Sequence, residues 1–237
     1  MAAPLGAALR GPDGRVAVDR PWSAGGPIGA SSTGHELWVP GRTVRAMDRE
    51  TFWQIVDTAR ERAGAGADDR GPEDDPLPDA LTDLLVERLS PDEILAFADV
   101  AGAVARDAYA WPVWGAAYLV EGGCGDDGFM DFRDGLVLAG RATFERAVAD
   151  PDSLADHPVV AAMADGGSPW FGYESLEWLV GDAWARATGE DRAAYLAARE
   201  RTSSGHAHPE PAGERWDFDD DEENARRLPR LAALFAV

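Results

Sequence analysis

The 237-residue sequence contains no lysine, so all 22 of its basic residues are arginines. This absence excludes Schiff-base lysines, attachment of pyridoxal phosphate and the phosphate-binding lysine of Walker nucleotide sites. The only cysteine is Cys124, which rules out an intramolecular disulfide and predicts a cytoplasmic location. No apolar run approaches the roughly 20 residues that span a bilayer, and no charged-then-apolar leader is found.

Basic charge is also scarce, because 43 acidic residues give a net charge of -21. Such a surface repels phosphate backbones and anionic lipid heads, so neither nucleic acid nor a membrane is predicted as a partner. A basic protein partner is compatible with this charge, although excess negative charge also simply keeps proteins soluble. The sequence does not define an oligomeric state.

An apolar content of 45% and nine tryptophans predict a folded chain with one sizeable core. The apolar residues recur at helical spacing, so we predict an all-α, single compact domain of seven to nine helices over residues 47–237. Residues 1–46 carry Gly, Pro and Ser clusters and are predicted to be an irregular extension, so that translation could begin at Met1 or Met47. No alternating strand pattern of useful length is present.

Several helix boundaries are predicted from local signals. Ser90 and Glu93 flank Pro91 in the pattern of a capping box, which requires a helix start. Asp48 and Asp126 are predicted to cap two further helices, and a serine followed by Pro169 is predicted to start another. Pro112 disfavours helix at Trp111 and suits the first turn of the next helix, and Gly140 is predicted to interrupt the helix that follows Asp126. The Gly/Pro-rich acidic segment 64–76 is predicted to be a solvated linker.

Four aspartates are the sharpest candidates for a site. Asp127, Asp131 and Asp134 share one face of the predicted helix, as in carboxylate pairs that hold Mg²⁺ for a diphosphate, and the string from Asp126 mimics the aspartate-rich motif of terpene synthases. The second metal motif of those enzymes is absent. Helix capping and the helix dipole account for Asp126 and Asp127 and are the favoured interpretation. Asp131 or Asp134 can pair with Arg133 or Arg141, and the pair of Asp131 with Arg133 is the one that capping does not explain.

Glu174 and Glu177 lie in an aromatic setting, on what are predicted to be the opening turns of a helix. Such carboxylates can have raised pKa values and act as general acids, but acidic residues are also common at helix starts. The aromatic neighbours Trp170, Phe171 and Trp178, together with Trp111, form a second class of candidate.

Cysteine and histidine give weaker signals. Cys124 precedes a predicted helix start and would need a histidine base, of which the nearest in sequence is His157, so a small core thiol is the favoured interpretation. His206, His208 and Glu210 are zinc-ligand types, but they lie in the polar, Gly/Pro-rich segment 201–218, which is predicted to be a solvated loop.

Five strings carry a family resemblance: MDRETFW at residues 47–53, LSPDEI at 89–94, WGAAY at 114–118, GCGDDGF at 123–129 and DPDSL at 150–154. With them the chain resembles the bacterial family of domains of unknown function numbered 4240. The resemblance implies a cytoplasmic helical domain without an established activity and places residues 1–46 outside it. The family usually has serine where this chain has Gly125, so no hydroxyl role is expected there.

We therefore predict a non-enzymatic protein-binding or regulatory module without a cofactor, whose partner surface includes Trp111, Trp170, Phe171 and Trp178. The alternative is a metal-dependent enzyme with a carboxylate site. Its candidate catalytic residues are Asp126, Asp127, Asp131, Arg133, Glu174 and Glu177, and its candidate metal ligands are Asp127, Asp131 and Asp134.

Overall fold

Most helices begin where a side chain within four residues satisfies a free backbone amide. The computed structural model describes residues 37–39, 42–44, 47–68, 70, 75–167, 169–202 and 210–236. Asp48 accepts a hydrogen bond from the Thr51 amide at 2.7 Å, and the Ser90 amide donates to Glu93 at 2.9 Å in the predicted capping box. These two helix starts are confirmed, and the all-α class is confirmed with them.

Eleven α-helices occur in the described residues. They are α1 Arg49–Ala63, α2 Pro76–Arg88, α3 Pro91–Asp107, α4 Trp111–Glu121, α5 Asp126–Leu138, α6 Arg141–Ala149, α7 Pro158–Ala164, α8 Leu176–Thr188, α9 Arg192–Thr202, α10 Asp221–Arg227 and α11 Pro229–Leu234. Seven to nine were predicted, and the number is larger because helices as short as α7 show too few residues for a period to be read. None of the helices in the described part of the chain combines the length and apolarity that crossing a bilayer requires.

Two three-residue strands precede the helices. β1 (Leu37–Val39) and β2 (Arg42–Val44) pair antiparallel, with Leu37 opposite Val44. The rest of the predicted extension, residues 1–36, 40–41 and 45–46, lies outside the described residues, so the domain boundary at Met47 stays a prediction.

One apolar core is shared by the helices. α1 packs on α2, and α8 packs against both α2 and α3, while α5 lies against α3. Phe52 of α1 and Phe97 of α3 are fully buried, with ring centroids 4.8 Å apart. Gly140 adopts a φ of +88° between α5 and α6, which is the interruption that the sequence suggested.

Two predicted boundaries are wrong, whereas the prediction that Pro112 lies in the first turn of a helix is confirmed. That helix, α4, begins at Trp111, whose amide donates to the Ala212 carbonyl at 2.8 Å. The N-cap of α5 is Gly125, and Asp126 is the first residue of the helix. No side chain makes a capping hydrogen bond at this helix start. α8 begins at Leu176, well after Pro169, because the intervening chain follows an irregular path into the core.

The predicted solvated linker is also wrong in part. Residues Gly64–Asp68 form a 3-10 turn in which Ala67 is buried, and Arg70 is only 5% exposed. The Arg70 guanidinium donates to the Gly135 carbonyl at 2.9 Å and to the Phe171 carbonyl. A charged side chain thus ties this segment to α5 and to the chain before α8.

Candidate functional site

The aspartates of α5 face the irregular segment that precedes α8. The Asp134 carboxylate accepts a hydrogen bond from the Leu176 amide at 2.9 Å, and the Asp131 backbone carbonyl accepts one from the Tyr173 amide at 2.8 Å. Burial is the main cause of a raised Asp131 pKa, and the charges of Glu174 and Asp127 raise it further. The fold therefore brings Asp127 and Glu174 each close enough to Asp131 to influence its pKa, and Asp126 lies exposed at the start of the helix.

The predicted pairing of Asp131 with Arg133 is wrong. Residues two apart on a helix point to nearly opposite sides. Arg133 instead donates to the Phe129 and Ala105 carbonyls, each at 3.3 Å, and its guanidinium lies 4.9 Å from the Tyr109 ring centroid.

The described residues contain no group of three His, Cys, Asp or Glu side chains that could hold a metal ion. One oxygen of the Asp134 carboxylate serves as the hydrogen-bond acceptor for the Leu176 amide. The candidate zinc ligands His206 and His208 lie outside the described residues.

Asp134 gives the molecule a pH dependence that can be measured. Burial raises its pKa to about 6, while the Leu176 hydrogen bond and Arg133 oppose this shift. Because the folded pKa lies above the ordinary value of 3.8, the folded state binds more protons, and stability falls as the pH rises through about 6. We expect wild type to gain about 1 kcal/mol of unfolding free energy relative to Asp134→Asn between pH 7 and pH 5, measured by urea denaturation. Parallel pH profiles of the two proteins would contradict this assignment.

Cys124 is half-buried against the core rather than fully buried, and burial raises the pKa of its thiol to about 12, with Glu121 and Asp131 adding to the shift. Such a thiol is protonated at neutral pH. His157 lies elsewhere in the fold, with Nε2 3.8 Å from Asp68, and burial lowers its pKa to about 4. The two residues do not form a nucleophile and base.

The glutamates of the aromatic segment have separate surroundings. Glu177 accepts hydrogen bonds from Tyr195 Oη at 2.6 Å and from Arg199 Nε at 2.9 Å, so it joins α8 to α9. Glu174 is exposed and precedes α8, so its predicted place on an opening helical turn is wrong. Ser175 between them has a φ of +61°, which is uncommon for a residue other than glycine.

The four aromatic candidates for a partner surface differ in exposure. Phe171 is completely buried, so its assignment to a surface is wrong; its ring packs on Phe132 with centroids 4.8 Å apart. Trp170 is 39% exposed and donates from Nε1 to Glu121 at 2.6 Å. Trp178 is 45% exposed and lies under the Arg192 guanidinium. Trp111 is half-buried and, unlike the others, belongs to a larger aromatic surface.

This surface, which we term the aromatic groove, is an open depression of about 500 Å³. Its sides come from the α3–α4 junction, α4, the start of α5 and the segment 210–218. It is lined by Tyr109, Trp111, Trp114, Tyr118, Cys124, Gly125, Asp126, Glu210, Pro211, Arg215 and Phe218. A second hollow of about 530 Å³ continues from it and shares Tyr118, Arg215 and Phe218.

Stacked rings fix the wall of the aromatic groove. Trp111 stacks on Trp114 with ring centroids 5.2 Å apart and an interplanar angle of 11°, and Trp114 stacks on the buried Phe129 at 4.6 Å and 14°. The Trp114 indole also donates from Nε1 to the Cys124 carbonyl at 2.9 Å. Such stacking adds to the stabilisation that these rings gain from burial.

The opposite wall is a chain segment held by backbone bonds. The Ala212 carbonyl accepts from the Trp111 amide, and the Ala212 amide donates to the Tyr109 carbonyl at 2.9 Å. Trp216 is buried and donates from Nε1 to Asn224 at 2.8 Å. Its ring lies against Gly115, where a Cβ atom would come within 2.2 Å of it. A glycine in the middle of α4 thus makes room for the segment that carries Arg215.

Sequence reasoning found Trp111 but missed most of the aromatic groove. Arg215, Trp216 and Phe218 alternate with acidic residues inside a segment predicted to be a loop, and that alternation was the available signal. Tyr109 gave no signal, because it follows α3 outside the apolar period.

The comparisons with known proteins concern the helical core. A family model described as protein of unknown function (DUF4240) matches residues 47–186, which is more than half of the chain. The match includes Trp111, Trp114 and Cys124, whereas the wall at residues 210–218 lies beyond it. Searches among curated proteins and among solved structures find no match. The family predicted from the sequence strings is confirmed, and the chain belongs to the DUF4240 family.

Proposed function

We propose that the protein is a non-enzymatic, cytoplasmic protein-binding module whose interface is the aromatic groove. The observation that carries this proposal is the set of half-buried aromatic side chains, Trp111, Trp114, Tyr118 and Phe218, that line one open depression. Trp, Tyr and Arg are the residue types that dominate binding energy in protein interfaces. A lone cysteine supports the cytoplasmic location.

The rigidity of the aromatic groove supports a recognition role. Trp111 and Trp114 are held on α4 by stacking, and the wall around Ala212 is held by two backbone hydrogen bonds. A surface that is already ordered loses little conformational freedom when a partner binds. The continuation into a second hollow provides length for an extended segment of a partner protein.

The alternative function, a metal-dependent enzyme, receives less support because several of its candidate residues make hydrogen bonds that hold the fold together. Asp134 holds the first turn of α8 through Leu176, and Glu177 holds α9 through Tyr195 and Arg199. Arg133 holds two backbone carbonyls.

Selection of random displayed peptides on the full chain tests the proposal. We expect selected peptides to bind Trp111→Ala more weakly than wild type by about 2 kcal/mol, or about thirtyfold, as for a central interface tryptophan. The matched control is Trp178→Ala, which removes an exposed tryptophan from α8 and should leave affinity unchanged. Calorimetry gives the affinities, and melting curves establish that each variant is folded.

Tyr118→Ala serves as a second variant, since Tyr118 lines both hollows and lies at the surface. Weakened binding by Trp111→Ala and Tyr118→Ala, but not by Trp178→Ala, supports the proposal. Failure to select any peptide, or selection of peptides that bind all three variants as they bind wild type, refutes it.

A further inference from the structure

The charge of the aromatic groove is unbalanced. Asp126 and Glu210 line it, and Asp217 and Asp219 line the hollow that continues from it. Among the described residues, Arg215 is the only basic one that lines either depression. Four exposed carboxylates against one guanidinium, on a chain of net charge -21, favour a basic partner segment and speed its approach.

Arg215 shows which basic group this surface accepts. Its guanidinium carbon lies 4.7 Å from the centroid of the Trp111 ring, on a side chain that is exposed. Within the described part of the chain Arg215 forms no salt bridge, and its guanidinium contacts the Trp111 ring. Trp111 stacks on Trp114, and the Arg215 guanidinium lies over the same Trp111 ring.

A partner arginine at this position would gain contacts that Arg215 lacks. Asp126 and Glu210 line the same depression and can accept hydrogen bonds from a guanidinium that enters from outside. Guanidinium stacks on aromatic rings and binds carboxylates in a planar fork, whereas an ammonium group does neither as well. The surface therefore favours arginine over lysine.

We propose that the aromatic groove binds a basic partner segment by seating one of its arginine side chains on Trp111, and that Arg215 occupies this position in the free protein. This inference rests on the proposed protein-binding function and names the chemistry of the partner. Because Arg215 must leave before the partner arginine enters, it competes with binding and lowers the apparent affinity.

Binding of N-acetyl-arginine methylamide to the full chain tests the inference, followed by the tryptophan indole signals in NMR. The citrulline analogue has nearly the same shape without the charge. We expect Arg215→Gln to tighten binding of the arginine probe by about threefold to tenfold, since the internal competitor is removed. The citrulline probe should bind neither protein measurably. Adding Trp111→Ala to Arg215→Gln should abolish binding.

Arg192→Gln is the matched control, because Arg192 of α9 lies over the ring of Trp178 in α8 and forms a second arginine–tryptophan contact. It should leave binding of the arginine probe unchanged. Equal binding of the two probes, or an affinity that Arg215→Gln leaves unchanged or weakens, would overturn the inference.

The displayed-peptide selection separates this inference from the proposed function. Selected peptides that depend on Trp111 and are rich in arginine support both. Peptides that depend on Trp111 but contain no arginine refute the inference and leave the protein-binding function standing. Absence of any peptide that depends on the aromatic groove refutes both.

Discussion

Gly135→Ala is expected to lower the free energy of unfolding by about 3 kcal/mol or more, the upper part of the range for overpacking. A Cβ at Gly135 would lie 2.1 Å from the Phe171 carbonyl oxygen and 2.9 Å from the Gly172 Cα. Both are backbone atoms, so the segment before α8 would have to move away from α5. That movement would also break the hydrogen bonds of Arg70 to the Phe171 and Gly135 carbonyls. Urea denaturation measures the loss.

Gly102→Ala is the matched control for this substitution. Gly102 lies in the interior of α3, and the nearest atom to an added Cβ is Arg106 Nη1 at 3.9 Å. With free space, the better helix propensity of alanine should stabilise the protein by up to about 1 kcal/mol. The same substitution in two helices is therefore expected to have opposite signs. Equal stability of Gly135→Ala and wild type would show that α5 and the segment before α8 are not in close contact.

Gly115→Ala is expected to disrupt the aromatic groove while the helical core stays folded. The added Cβ would lie 2.2 Å and 2.5 Å from atoms of the Trp216 ring and 3.3 Å from Phe218. Trp216 would leave its buried position and lose its bond to Asn224, and the wall that carries Arg215 would move with it. We expect a loss of about 1–3 kcal/mol of stability and at least about tenfold weaker binding of selected peptides.

Amide hydrogen exchange distinguishes this local effect from global unfolding. The Trp111 and Ala212 amides, which join the two walls, should exchange faster in Gly115→Ala. Amides in the middle of α3 should keep their protection. Uniformly faster exchange, or unchanged exchange at Ala212, would contradict the role given to Gly115.

The candidate site shows where sequence reasoning fails. Trp170, Phe171 and Trp178 lie close together in sequence and share an aromatic character, yet Phe171 is buried and the other two are exposed. The prediction assumed a regular helix from Pro169, on which exposure follows a period. An irregular segment has no period, so exposure depends on neighbours such as Phe132 and Arg70 that are far along the chain.

The aromatic groove could not be assembled from the sequence for a related reason. Its walls contain Trp111 and Arg215, which are separated by more than 100 residues and meet because Gly115 leaves space for Trp216. From the sequence, a glycine in a helix is interpreted only as a weak helix former, and a polar segment with alternating aromatics is interpreted as a loop. Only tertiary packing shows that the glycine makes room for the aromatic segment.

The sequence by itself determined those features whose physical cause lies within a few residues. The capping box of Ser90 and Glu93, the cap at Asp48 and the interruption at Gly140 depend on neighbouring backbone groups, and so do the helical class and the family strings. The tertiary structure alone decided the start of α8. The Leu176 amide is satisfied by Asp134, 42 residues earlier in the chain, because burial leaves an unpaired amide no water to bond. The aromatic groove was likewise decided by the tertiary structure, because only long-range packing places Arg215 on Trp111.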